Sequence, residues 1–100
     1  MIKVVNKKTY KGAGVYIGRP TPLGNPFPVS NGRERCIEQY EQWLDEQLMT
    51  NPLVRTMFDA LVVYYRHTGS LTLTCWCAPL ACHGDVIARK IKEICNETED

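Results

Sequence analysis

Apolar positions change their period several times along the chain. Ile2 to Val5 and Gly14 to Gly18 (GVYIG) are short β-prone runs, which predict two strands. From Arg33 the spacing becomes helical: Ile37, Tyr40, Leu44 and Leu48 recur at three- or four-residue steps, with Trp43 beside them. Asn51-Pro52 predicts a second helix, with Asn as its cap and Pro in its first position. Leu53, Met57, Leu61 and Tyr64 should form that helix's stripe, and Gly69 should end it. Alternation then returns, with Leu71, Leu73, Cys75 and Cys77 on one face and Thr72, Thr74 and Trp76 on the other, as in a strand. Ile87, Ile91 and Ile94, with Cys95 alongside, mark a last helix entered near Val86; Lys90 and Lys92 should lie outward. The acidic segment Asn96 to Asp100 is expected to fray.

The order β–β–loop–α–α–β–α predicts one α/β domain over residues 1–100, a small, mainly parallel sheet flanked by about three helices. Lys7 to Gly12 reads as a hairpin or a loose connection. If the second and third strands are parallel, the helix pair is their crossover, and the loops that follow both strands share the carboxyl edge. That edge is where open α/β sheets bind ligands.

Smaller signals qualify this outline. Asn31 with Glu34 three residues later resembles a capping box. Arg33 and Arg35 stand in a first helical turn, where cations oppose the dipole. Either both are simply exposed, or one faces a bound anion, because local rule-breaking gathers at functional sites. Tyr64 and Tyr65 at helical spacing read as core, and His67 as solvated.

Composition narrows the function class. A net charge of +1 over 100 residues argues against bulk nucleic-acid binding, which leaves a strongly basic footprint. No apolar run approaches the roughly 20 residues of a membrane span. The start, MIKVVNKK, has no signal-peptide stretch, so a cytoplasmic protein is expected. Five cysteines without a secretion signal read as reduced thiols.

Two segments carry the candidate chemistry. Arg19 to Pro28 (RPTPLGNPFP) holds four prolines in ten residues, which excludes a helix or central strand. Leu23 and Phe27 should dock into the domain, fixing a rigid loop that either connects or mounts binding groups. In the second segment Pro79 ends the strand, and Cys82-His83-Gly84-Asp85 leads into the last helix. A strand, a tight loop and a helix N-terminus make an anion site. The loops Gly18–Phe27 and Ala78–Asp85 are therefore expected to line one crevice.

Three readings of the second loop follow. Cys75, Cys77, Cys82 and His83 include zinc-ligand types, but C-x-C followed by an adjacent Cys-His pair is poor spacing; no metal or cofactor is predicted. Cys82 beside His83 at a helix N-terminus could be a nucleophile, with Asp85 as acid, base or cap, in hydrolysis or glycosyl transfer on a nucleotide or nucleoside. The leading reading is binding without chemistry. Gly84 and the helix amides would hold a phosphate, His83 and Arg19 would donate to it, and Trp76 or Tyr16 would offer a face to a base. Cys77 and Cys82 would then be small packing residues. Gly18, Gly24, Asn25, Pro26 and Arg33 complete the predicted ligand-binding set.

The motifs YIGRPTPLGNPF (Tyr16 to Phe27) and CWCAPLACHGDVIA (Cys75 to Ala88) resemble a family of small bacterial and bacteriophage proteins known only as a domain of unknown function (DUF4326). The resemblance covers nearly the whole chain. It implies a site at Gly18, Arg19, Gly24, Asn25, Pro26 and Phe27 in the first motif and at Cys77, Pro79, Cys82, His83 and Asp85 in the second. It implies a location and not a reaction. The expectation is thus a small domain binding a nucleotide or other phosphorylated small molecule, extended by the phage association to ligand sequestration in phage–host conflict. An enzyme acting on a nucleotide is one alternative, and a structural or protein-interaction module is another. Oligomeric state is left open.

Overall fold

Strand β3 (Leu71–Cys75) occupies the middle of the sheet. β1 (Ile2–Asn6) and β2 (Val15–Tyr16) pair with its two sides, both parallel to it. The computed structural model describes residues 1–78 and 80–95, Asn31 by its backbone alone. The predicted strand-breaker Pro79 and the acidic tail 96–100 lie outside the described residues.

The register sets Ile2 beside Leu71, and Val4 and Val15 on either side of Leu73. Side chains alternate along a strand, so Ile2, Val4, Val15, Leu71, Leu73 and Cys75 share one face. That face joins the buried residues of all three helices in one core cluster. The domain is therefore two layers, helices over one side of a parallel sheet, as the predicted α/β class requires. Helices α1 (Arg33–Thr50) and α2 (Pro52–Thr68) form the crossover from β2 to β3, and α3 (His83–Ile94) follows β3.

Several sequence expectations need correction. Of the two readings of Lys7 to Gly12, the loose connection holds and the hairpin does not, because β1 and β2 pair with β3 and not with each other. The segment instead crosses from one sheet edge to the other, tied down by Lys7 N donating to Cys75 O at 2.7 Å. The cap of α1 is Gly32 and not Asn31; Gly32 has φ +97° and supplies no side-chain cap, and the Asn31 side chain lies outside the described atoms. α2 has the predicted ends, with Asn51 Oδ1 accepting from Leu53 N and Gly69 in a left-handed cap. Its buried stripe, however, is Val54, Phe58, Leu61, Val62 and Tyr65; Leu53 is 70% exposed and Tyr64 55%. Both stripes are apolar and share Leu61, so periodicity alone cannot choose; packing selects the one that carries Phe58.

α3 begins three residues before Val86, at His83. Ile87 and Ile91 are fully buried, whereas Ile94 in the last turn is exposed. Lys90 pairs with Asp45, and Arg89 with Glu41, so these cations face α1 and bind the last helix to the first.

Candidate functional site

The first loop is held by contacts that use up most of its polar groups. Leu23 is fully buried, and the Tyr40 hydroxyl donates to its carbonyl at 2.7 Å. Burial raises the Tyr40 pKa far above the ordinary phenol value, with the Cys82 thiol adding to it. Thr21 closes a turn by donating its N–H and hydroxyl to Gly18 O. Gly24 is required by close approach: a Cβ there would stand 2.8 Å from Arg19 N. Asn25 Oδ1 accepts from Phe27 N, and its Nδ2 donates to Cys36 Sγ at 3.2 Å. The Arg19–Pro20 peptide is cis.

The second loop is clamped from β1. Asn6 Nδ2 donates to both Trp76 O and Ala78 O, at 3.1 and 3.0 Å. Cys82 caps α3 reciprocally with Asp85: Gly84 N donates to Cys82 Sγ, and Cys82 N donates to Asp85 Oδ2 at 3.0 Å. The amide of Asp85 donates to Cys82 O. Two amides of the helix tip predicted to hold an anion, those of Gly84 and Asp85, are thus bonded within the cap itself. Gly84 is also packed against the sheet, since a Cβ on it would meet Val4 and Ile17 at 2.9 and 3.0 Å.

The two loops do meet. A cavity of about 230 Å³ lies between them, under the start of α1. Gly18, Arg19 and Asn25 line it from the first loop, Trp76, Cys77, Cys82 and His83 from the second, and Arg33 from the helix start. Tyr16, Gly24, Pro26, Gly84 and Asp85 were predicted with them and do not line it. Tyr16 supports the wall from behind, its hydroxyl accepting from Trp76 Nε1 at 2.9 Å and donating to Arg19 O at 2.7 Å. Of the two first-turn arginines, Arg33 reaches the cavity, and its Nη1 donates to Ala81 O across the mouth; Arg35 is exposed and does not line it. Phe27, named by the family resemblance, is part of the wall.

Residues missed by the predicted ligand-binding set are Phe27, Val29, Cys36, Ile37, Cys75 and Ala81. Cys36 precedes Tyr40 by one helical turn, so the α1 stripe extended backward would have found it.

The walls are chiefly apolar, and the charge on them has one sign. Two guanidiniums line the cavity and no carboxylate does, among the described residues. The Arg19 side chain is exposed and has no hydrogen-bond or ion-pair partner among the described residues. Burial holds the His83 pKa below the ordinary imidazole value; the Arg19 charge lowers it further, while the Ile17 carbonyl and Asp85 oppose the shift. His83 is therefore neutral at pH 7. Its Nε2 lies 2.8 Å from Ile17 O, and since a carbonyl only accepts, Nε2 carries the proton and Nδ1 is left as an acceptor.

Cys82 is unsuited to nucleophilic attack. Burial pushes its pKa up to about 12, and the adjoining Cys75 thiol, with Sγ atoms 3.4 Å apart, acts in the same direction. The thiolate is the reactive form, and here it is suppressed. Among the described residues no three His, Cys, Asp or Glu side chains converge as a metal ion would require.

No helix among the described residues is long and apolar enough to cross a membrane. Neither a curated protein nor a solved structure matches the chain significantly. A family match does exist and spans the sheet, all three helices' cores and both loops: over residues 2–93 the chain belongs to the family described as Domain of unknown function (DUF4326).

Proposed function

We propose that the protein binds a nucleotide or another phosphorylated small molecule in the cavity between the Gly18–Phe27 loop and the Ala78–Asp85 loop. The observation that carries this reading is the pairing of Arg19 and Arg33 on an apolar cavity wall without a carboxylate. Guanidinium groups recognise phosphate by forked, charge-assisted hydrogen bonds, and a low-dielectric surround strengthens them. Trp76 and Phe27 supply apolar surface for a ring, and the neutral His83 offers an acceptor to a ligand hydroxyl or amine. The phosphate would sit at the guanidiniums and not on the Gly84 and Asp85 amides, which are already bonded within the chain.

The enzymatic alternative now rests on His83, whose free Nδ1 has the protonation state of a general base at neutral pH. Cys82 and Asp85 contribute to the α3 cap instead.

Thermal shift of the purified chain against mono-, di- and cyclic nucleotides and inorganic phosphate tests the proposal. At a hundredfold excess over Kd, a site specific to the folded state gains about 2.7 kcal/mol, roughly an 11–22 °C rise in Tm for a domain of this size. Arg19→Ala and Arg33→Ala should each cut the rise to about half or less. A flat melting temperature with every one of these ligands would overturn the reading. Recovery of the ligand in fragments after prolonged incubation would favour the enzyme.

A further inference from the structure

The carboxylates of this chain are confined to the helices and the tail. Residues 1–33 and 60–84 contain no Asp or Glu, and these stretches include all three strands and both cavity loops up to Gly84. Lys3, Lys7, Lys8, Lys11, Arg19 and Arg33 fall in the first of them. A net charge of +1 thus combines a cationic first third of the chain with a mildly anionic remainder, more than half of whose excess lies in the acidic tail.

Aromatic rings are interleaved with these cations. The Lys3 ammonium lies 5.2 Å from the Tyr10 ring centroid, and the Lys7 ammonium 5.3 Å from that of Tyr16. Tyr16 packs edge-on against Trp76, centroids 6.2 Å apart. Trp76 is 57% exposed and also lines the cavity, so the cavity wall and this face are continuous. The cavity itself, about 230 Å³, falls short of the roughly 300 Å³ at which pockets enclose a drug-sized ligand. It encloses only part of a ligand, and the remainder must lie along the open side, past Trp76.

The geometry points to the end of a single-stranded nucleic acid as the ligand: the terminal phosphorylated nucleotide enters the cavity, the next base stacks at Trp76, and the following phosphates run along Lys7, Lys8 and Lys11. This rests on the phosphate-binding reading of the cavity and extends it. Single strands are held by cationic tracks and by bases stacked on aromatic rings, each stack worth about 1–3 kcal/mol. A duplex keeps its bases paired and offers Trp76 nothing to stack on.

Fluorescence anisotropy with the full chain tests the inference. The probes are short DNA and RNA strands with a phosphate at one end and the dye at the other, in both polarities, beside a blunt duplex and the mononucleotide as competitor. A strand should bind at least about tenfold more tightly than the mononucleotide at low salt, with an affinity that falls steeply as salt rises. Lys8→Glu with Lys11→Glu, both exposed positions, should remove that gain and leave mononucleotide binding unchanged; Arg33→Ala should weaken both ligands. Equal affinity for strand and mononucleotide overturns the inference while the cavity reading stands. Strand binding that ignores Arg33→Ala, or that a duplex matches, also overturns it, because the end is then not in the cavity or the attraction is charge alone. Failure of every probe overturns both.

Discussion

Two helix N-termini face the same cavity and are built in opposite ways. α3 begins with Cys82, Gly84 and Asp85 bonded to one another, its glycine pressed against Val4 and Ile17. α1 begins after Gly32, with no side-chain cap, nothing within 4 Å of a Cβ at that glycine, and Arg33 in the first turn. The first is structural: the Cys82, Gly84 and Asp85 amides are bonded within the tip and its glycine is packed. The second breaks the dipole rule with a cation, and that cation lines the cavity. A helix tip rich in motif residues can thus be wall, while the plainer tip carries the cation that lines the cavity.

The contrast can be broken in several ways, the largest effect first. Cys82 and Tyr40 have pKa values raised in the folded chain, so their stabilisation is complete below their unfolded values and is lost as pH rises through the folded ones. Urea unfolding should therefore show stability declining from about pH 9 towards pH 12, and Cys82→Ser should flatten part of that decline. Gly84→Ala should cost about 2 kcal/mol by overpacking, read from the denaturation midpoint. A smaller loss there would show that the α3 tip has room to give.

Asp85→Ala removes one half of the cap and should cost about 1 kcal/mol without weakening ligand binding, since the carboxylate does not line the cavity. On the acid side the sign reverses. The His83 pKa is depressed on folding, so its stabilisation is present above the unfolded value near 6.5 and is lost as pH falls below it. Denaturation midpoints should drop between pH 7 and pH 5, and His83→Gln should lessen the drop. Arg33→Ala should be the mildest for the fold, within about 0.5 kcal/mol for a surface substitution. It should nevertheless weaken phosphate-ligand affinity by about tenfold or more, the equivalent of one charge-assisted hydrogen bond. A stability loss larger than the affinity loss would make Arg33 a strut for Ala81 and not a ligand group.

Much of this was legible where local chemistry acts alone. Asn51-Pro52 and Gly69 bounded α2 correctly because caps are satisfied within a few residues. The wrong stripe on the same helix shows the limit: Leu53 and Val54 both begin acceptable apolar rows, and only the sheet beneath decides between them. Asp85 and Gly84 were read as ligand groups because nothing in the sequence says that Cys82 would accept one amide and hand its own to Asp85. Arg33 was marked by its conflict with the helix dipole, a local signal that pointed to the cavity. Net charge is silent on placement, because a sum over the chain erases the separation of carboxylates from the strands.

The sequence by itself determined the element order, the parallel crossover, the two loops and the family, since periodicity, proline placement and long contiguous motifs are local properties. Tertiary structure alone decided which polar groups stay available. Backbone donors and acceptors must find partners wherever the chain is buried, and the partners that claimed Asn25, Tyr16, Gly84 and Asp85 were fixed only when β2, β3 and the helix starts came together. What lines the cavity at that junction, the Arg19 guanidinium, unpaired among the described residues, the Arg33 guanidinium held through one nitrogen by Ala81 O, and His83, is the candidate site.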